Sequence, residues 1–153
     1  MNARDLEAAL KQGAVFYMRH RDVGRGREPH NCIVMNAEPG SDEVLILTII
    51  SSQTDMIVRR AGAQGQSPDT LVRISPSDYS PLKVDSVVDC NSPQRESLFS
   101  LQTEAKAGRV KERPSIPPAI LRKIIDGMKA SKLVRPAYKT MLDPKPPPPA
   151  PVP

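Results

Sequence analysis

The stretch His30–Thr54, HNCIVMNAEPGSDEVLILTIISSQT, decides which fold this chain can adopt. It contains two apolar runs, residues 32–35 and 44–50, and the segment between them holds proline, glycine, serine and aspartate. Such a connection is typical of a hairpin loop, so the stretch predicts antiparallel strands over residues 31–36 and 43–50. The second run is apolar without alternation, which favours a central strand that is covered on both faces.

Polar side chains flank the two predicted strands at one end of the hairpin. His30 and Asn31 come before the first apolar run, and Ser51, Ser52 and Thr54 come after the second. Because hairpin strands are antiparallel, the start of one strand lies beside the end of the next. The arrangement suits a functional site. It also suits two plain core strands, with His30 bonding a backbone carbonyl and the serines forming a turn.

Further short strands are predicted on both sides of the hairpin. Residues 14–18, 70–74 and 83–90 combine β-branched or aromatic residues with strand-like alternation. Residues 57–58 and 97–101 are interpreted as further additions to the sheet, and residues 61–69 as a flexible loop. Short strands at this spacing, without long helices between them, predict a mainly β fold that closes as a small antiparallel barrel.

Helices are predicted near both ends of the chain. Asn2 suits the cap of a helix over residues 3–11, and a short helix is predicted over residues 133–142. Pro117 and Pro118 suit the first turn of the clearest helix, whose apolar residues share one face: Ile120, Leu121, Ile124, Ile125 and Met128. We expect this C-terminal amphipathic helix to cover an open side of the barrel, with a partner interface as the alternative.

The last residues differ in composition from the rest of the chain. Residues 144–153 read PKPPPPAPVP, which suits neither a helix nor a sheet. The sequence therefore predicts a single barrel domain with terminal helices over residues 1–142 and a disordered proline-rich tail over residues 143–153. The tail also suits a ligand for an aromatic groove on another protein.

The charge of the chain favours a polyanionic partner. The formal net charge is +5 and the sequence pI is about 9.4. The segment before the hairpin is especially basic and contains Arg19, Arg21, Arg25 and Arg27. This cluster is interpreted either as a patch that faces phosphates or as a solvated loop.

Cysteine usage and hydropathy narrow the class of protein. The two cysteines, Cys32 and Cys90, lie in apolar runs and match neither a disulfide framework nor a metal site. Residues 1–20 lack the apolar core of a signal peptide, and every apolar run is shorter than the ~20 residues that span a bilayer. We therefore expect a cytoplasmic protein without a membrane segment.

Three parts of the chain resemble the PemK/MazF group of toxin endoribonucleases. They are GREPHNCIVMN, LILTIISSQT and TLVRISPSDYSPLKVDSVVDCN, and the resemblance extends over residues 13–128. It implies an SH3-like barrel, a homodimer, an antitoxin partner and cleavage of single-stranded RNA without a metal or other cofactor. The group uses an arginine at the start of the second strand and a threonine or serine at the end of the third. The matching positions are His30 and Ser51 or Ser52, with Asn31 where the group has a proline.

Metal-free RNA cleavage requires a base, an acid and donors for the charge of the phosphorane. Histidine suits the first two roles because its unperturbed pKa is about 6.5. Arginine and hydroxyl donors suit the third. The sequence therefore predicts His30, Ser51 and Ser52 as catalytic residues. Arg19, Arg21, Arg25, Arg27, Asn31 and Thr54 are predicted to bind RNA. The alternative function is a non-catalytic SH3-like barrel that binds a protein or a nucleic acid.

Overall fold

The computed structural model describes residues 1–20 and 28–152 as a mixed α/β fold built on an antiparallel sheet. The strands are β1 Val15–Arg19, β2 Pro29–Val34, β3 Val44–Ser51, β4 Leu71–Ile74, β5 Ser86–Asp89, β6 Gln94–Ser97 and β7 Lys111–Arg113. The helices are α1 Ala3–Ala9, α2 Thr54–Ala63, α3 Leu98–Lys106, α4 Pro118–Ala130 and α5 Pro136–Met141. A short 3-10 helix, Pro68–Thr70, precedes β4.

The seven strands form one sheet with the order β4-β5-β3-β2-β1-β7, and β6 pairs with β3 outside this path. Strand β3 is central because its first half pairs with β6, its end pairs with β5 and its other edge pairs with β2. The predicted closed barrel is not present in the described part of the chain, where β4 and β7 end the path without pairing with each other.

The hairpin between β2 and β3 is organised by one buried side chain, Asn36. Its amide nitrogen donates to Asp42 and to the Val44 carbonyl, both at 2.9 Å. Its oxygen accepts the Ile46 amide at 2.7 Å. These bonds satisfy a polar group that has no contact with water, and they hold the predicted strands in one register.

The sheet carries an apolar cluster on each face. One cluster joins Val15, Ile33, Ile46 and Ile50 to helix α4 and is called the α4-side core. The other joins Phe16, Cys32, Val34, Leu45 and Leu47 to helices α1 and α3 and is called the α1/α3-side core. Successive residues of β3 alternate between the two, which explains its unbroken apolar run.

Several local elements differ from the sequence interpretation. Residues 57 and 58 lie in helix α2 and not in the sheet, because Ile57 and Ala61 are one helical turn apart and both are buried. This helix also takes up the first residues of the predicted loop. The predicted strand over residues 97–101 is wrong, since Ser97 ends β6 and caps α3 by accepting the Ser100 amide at 3.0 Å.

The predicted helices near both ends of the chain are present. Asn2 and Asp5 form a capping box at α1, and α4 spans the segment that the apolar spacing predicted. Residues 144–152 form neither helix nor strand. Lys145 contacts the β2–β3 hairpin through an ion pair with Asp42 at 2.9 Å. The disorder of the tail and the domain boundary at residue 142 stay predictions.

None of the helices in the described ranges is both long and apolar enough to span a membrane.

Helix α4 approaches the sheet closely at Gly127, and this contact generates a test of the packing. A Cβ at this position would lie 2.8 Å from Cys90 Sγ and 2.9 Å from the Asp69 carbonyl oxygen, whereas one at Gly62 in α2 would meet nothing within 4 Å. We expect Gly127→Ala to lower the free energy of unfolding by about 1–3 kcal/mol through overpacking. Gly62→Ala, the matched control, should raise it by up to about 1 kcal/mol through helix propensity. Urea unfolding followed by circular dichroism measures both, and equal effects would contradict the close contact.

Candidate active site

The antiparallel register brings the predicted catalytic residues to one end of the sheet. Asn31 pairs with Ile50, so the next step of the same register places His30 beside Ser51. On its other side, His30 pairs with Met18 of β1. The expectation that the polar ends of the hairpin lie together is therefore correct for the backbone.

The side chains of these residues do not share one face. Side chains alternate along a strand, so His30 lies on the face of Cys32, and Ser51 on the face of Ile49, both in the α1/α3-side core. Asn31 and Ser52 occupy the intervening positions and belong to the face of the α4-side core. The predicted set is thus divided between the two faces of the sheet.

The first of two cavities at this end contains Asn31 and Ser52 and is called the Asn31 cavity. Its volume is about 350 Å³. It is lined by Tyr17, Glu28, Pro29, His30, Asn31, Ile50, Ser52, Pro81, Leu82, Lys83, Val84, Ser86 and Arg113. The Arg113 guanidinium lies 4.8 Å from the centre of the Tyr17 ring. Within the described ranges, neither Lys83 nor Arg113 forms an ion pair, so their charge is available to an anion.

The second cavity contains Ser51 and is called the Ser51 cavity. Its volume is about 270 Å³. It is lined by Glu28, His30, Ile49, Ser51, Gln53, Met56, Ile57, Arg60, Asp89, Ser92 and Gln94. Arg60 and Asp89 form an ion pair at 2.9 Å, and Ser51 Oγ accepts the Gln53 amide at 3.1 Å. Its charged groups are largely paired, and amide and hydroxyl groups dominate the remaining polar lining.

His30 and Glu28 line both cavities. His30 Nε2 and Asn31 Oδ1 are buried and have no hydrogen-bond partner among the residues that the structure describes. Buried polar atoms are nearly always paired, so two such atoms at the junction of the cavities are suited to a ligand. Burial lowers the pKa of His30, while the nearby charge of Glu28 acts in the opposite direction. The imidazole is therefore neutral at neutral pH and can accept a proton.

The other predicted RNA-binding residues lie apart from the cavities or outside the described ranges. Arg19 ends β1, is exposed and pairs with Pro29 of the Asn31 cavity. Thr54 begins α2 and lines neither cavity. Arg21, Arg25 and Arg27 lie outside the residues that the structure describes.

His20 is not a rim residue. It is 1% exposed, and its Nε2 lies 3.5 Å from the Glu96 carboxylate and 3.4 Å from the Arg95 carbonyl oxygen. The second histidine is thus buried against β6. The sequence gives no local signal for this contact, because Arg95 of β6 is 75 residues away along the chain.

Sequence reasoning missed three residues of the Asn31 cavity, namely Tyr17, Lys83 and Arg113. Tyr17 comes from β1, Arg113 from β7 and Lys83 from the connection between β4 and β5, so none belongs to the hairpin. Arg113 reaches the site only because β7 pairs with β1, where Val15 is its partner. No sequence signal indicates this pairing, since residues 94–115 are polar and lack a clear period.

Neither a reactive thiol nor a metal-binding cluster is found among the residues that the structure describes. Burial raises the pKa of the Cys32 and Cys90 thiols to about 12, so neither forms a thiolate at neutral pH. No group of three or more histidine, cysteine or acidic side chains within residues 1–20 and 28–152 is arranged to hold a metal ion. The predicted absence of a cofactor stays a prediction.

Comparison with known proteins gives structural matches alone. No family profile and no curated protein matches the sequence. Its structure is similar to that of MazF. The MazE–MazF structures from Deinococcus radiodurans in forms II and III match with TM-scores of 0.48 and 0.46 and identities of 11% and 12%. They cover 78% of this chain and 91% and 92% of theirs.

A further match is an endoribonuclease in complex with its cognate antitoxin from Mycobacterial species. Its TM-score is 0.47 at 15% identity, covering 78% of this chain and 89% of that chain. The Deinococcus structures contain MazF, whose group the strand patterns resemble. At such TM-scores the MazF similarity says nothing about the site of this chain, whose chemistry follows from its own residues.

The environment of His30 generates a test by NMR. We expect its imidazole to titrate below the ordinary value of about 6.5, because burial disfavours the charged form. Glu28→Gln should lower the pKa of His30 further, because it removes the charge that favours the imidazolium. Two-dimensional spectra of the ring Cε1–H groups across pH measure both, with the His30→Asn variant used for assignment. A pKa for His30 above that of a model imidazole would contradict the burial.

Proposed function

We propose that this chain is a toxin-like endoribonuclease that cleaves single-stranded RNA without a metal ion. The observation that carries the proposal is the position of His30, which lines both cavities and has a buried Nε2 atom without a described partner. A neutral imidazole at the junction of a cationic cavity and an amide-lined cavity suits a reaction at the phosphate between two nucleotides.

The Asn31 cavity supplies the phosphate-binding part of the proposal. Lys83 and Arg113 bring positive charge to its wall, and the Asn31 and Ser52 side chains bring polar groups to its floor. Fixed donors of this kind stabilise the charge that develops on the phosphorane oxygens. Arg19 extends the positive surface along β1, and Arg21, Arg25 and Arg27 are proposed to add to it.

The reaction follows from the protonation state of His30. The neutral imidazole takes the proton of the ribose 2′-hydroxyl, and the 2′ oxygen attacks the adjacent phosphorus. The bond from phosphorus to the 5′ oxygen breaks, and solvent in the open cavity protonates that oxygen. The products are a 2′,3′-cyclic phosphate and a 5′-hydroxyl end.

The Ser51 cavity is proposed to receive the adjoining base. Its volume of about 270 Å³ accommodates a nucleobase. The Gln53 and Gln94 amides offer both donors and acceptors to a base edge, and Ser51 adds a hydroxyl group. Thr54, which follows Gln53 at the start of α2, is proposed to contact the RNA outside the cavity. Met56 is 46% exposed and offers an apolar surface beside them.

The proposed activity also has a cellular location, an oligomeric state and a partner. As the family resemblance implies, the chain acts in the cytoplasm as an SH3-like homodimer whose site is blocked by an antitoxin protein. The alternative, a binding module without catalysis, is favoured by the division of Ser52 and His30 between opposite faces. Cleavage assays separate the two functions.

The central test is His30→Ala. We expect it to reduce cleavage of labelled single-stranded RNA by about 10²–10⁴-fold, because the general base is lost, with EDTA present throughout. RNA affinity should change by less than about threefold, since the imidazole is neutral when it binds. In the wild type, kcat/KM should fall as pH decreases through the His30 pKa, which lies below about 6.5.

Unchanged cleavage in His30→Ala, at a matched melting temperature, would exclude the catalytic role. RNA binding by the wild type without any cleavage would favour the binding module.

A second test concerns the cationic wall. Lys83→Ala and Arg113→Ala should each weaken RNA binding and reduce the slope of log K against log salt by about 0.7, the share of one phosphate contact. Lys106→Ala removes the same charge from the exposed end of α3 and serves as the control. Fluorescence anisotropy at a series of salt concentrations measures the slopes. Equal slopes for Lys83→Ala and Lys106→Ala would place the RNA elsewhere.

A further inference from the structure

Strand β4 has an open edge at the bottom of a groove between α2 and α4. The groove has a volume of about 880 Å³, and its lining shares no residue with the Asn31 or Ser51 cavities. Small residues of both helices line the groove, namely Ala61 and Gly62 on α2 and Gly127 and Ala130 on α4. The groove is thus a separate feature that RNA cleavage does not use.

The hydrogen-bond pattern of β4 shows which backbone groups face the groove. The Cys90 amide donates to the Thr70 carbonyl at 2.9 Å. In an antiparallel pair this bond makes Leu71 and Arg73 the positions that exchange no bonds with β5. Their backbone groups therefore point away from β5, toward the groove.

Three of these outward groups remain open. The Leu71 amide donates to the Pro68 carbonyl. The Leu71 carbonyl and the Arg73 amide and carbonyl have no backbone partner among the described residues. An unpaired strand edge is a template for another extended chain, and proteins usually cover or charge it.

The proline-rich tail of this chain does not suit the edge. Residues 144–153 contain only Lys145, Ala150 and Val152 besides proline, so they offer few amide donors. The Lys145 amide already donates to Glu38 at 2.9 Å.

A second copy and a nucleic acid are also poor occupants. Residues of α2 and α4 line the groove over the β4 edge, so in a second copy the same two helices would flank its edge and hinder edge-to-edge pairing. The lining contains two basic residues, Arg73 and Lys123, and two acidic residues, Asp69 and Asp126, so it offers no net positive charge to a polyanion.

We propose that the groove between α2 and α4 binds an extended peptide segment of a partner protein, which adds a strand to the open edge of β4. The peptide runs antiparallel to β4. One of its residues exchanges two backbone hydrogen bonds with Arg73, and the amide two residues further along donates to the Leu71 carbonyl.

The groove also sets the chemistry of the peptide. The residue opposite Arg73 is not proline, because its amide donates a bond. Side chains of successive residues point alternately toward Ala61 and Gly62 and toward Gly127 and Ala130, so small or β-branched apolar residues fit both walls. The side near α2 continues into a cavity of about 480 Å³ with Asp55, Arg59 and Arg73, where the peptide carries polar residues.

The probe is a library of random peptides of about a dozen residues, displayed on phage and selected on the full chain. Enriched peptides are synthesised, and their affinities are measured by fluorescence anisotropy. We expect Arg73→Pro, which removes the outward amide but no bond to β5, to bind at least about tenfold more weakly than Arg73→Ala. Both variants lack the guanidinium, so the difference reports the backbone donor.

Two further measurements keep the test decisive if Arg73→Pro does not fold. Gly62→Trp fills the groove from an exposed helix position where a Cβ meets nothing within 4 Å. It should weaken peptide binding by at least about tenfold, while Ala8→Trp on the exposed face of α1 should leave it unchanged. N-methylation of the peptide amide that pairs with Arg73 removes a backbone donor from the peptide. It should also weaken binding by at least about tenfold.

Three results would overturn the proposal. They are a failure of the wild type to enrich any peptide, equal affinity of Arg73→Pro and Arg73→Ala for every enriched peptide, and a wild-type dimer that Arg73→Pro or Gly62→Trp dissociates without any peptide binding.

Discussion

The antiparallel register between β2 and β3 is the constraint on which the rest of the structure depends. It pairs Asn31 with Ile50 and Val34 with Leu47, and it assigns every side chain of both strands to one of two faces. A shift by one residue would exchange the two apolar cores and would move His30 from one face to the other. The buried Asn36, which bonds Asp42, Val44 and Ile46 across the hairpin, opposes such a shift. Fold and candidate site therefore rest on the same pairing.

A second constraint is the buried polar network at the end of β5. Asp89 accepts from Arg60 of α2 and from Asn91, and Asn91 in turn bonds Thr70 and Ser131. These bonds tie α2, the start of β4 and the end of α4 to one point. Removal of a single member would leave a buried polar group unpaired, at a cost of about 1–3 kcal/mol.

The sheet carries two surfaces of different chemistry. Near His30, Lys83 and Arg113 leave positive charge facing an open cavity, which suits a phosphate. Along β4, acidic and basic side chains balance, and the polar groups on offer belong to the backbone. The proposed RNA site and the proposed peptide site thus lie at distinct places on one small sheet and share no lining residue.

The sequence by itself determined the elements whose signals are local. The strands of the hairpin, the strand that becomes β4, the capped first helix and the helix after Pro117 all follow from turn residues, caps and apolar spacing. It also predicted that the polar ends of the two strands lie together, because the strands of a hairpin are antiparallel. Only the tertiary structure decided that residues 57–58 and 98–101 are helical, since their apolar residues fit either period until packing selects one. It alone assigned the face of His30 to the α1/α3-side core and the face of Asn31 to the α4-side core. It alone brought Lys83 and Arg113 to the site. The physical reason is that side-chain orientation and long-range strand pairing depend on which surfaces are buried together, and no local pattern encodes that choice.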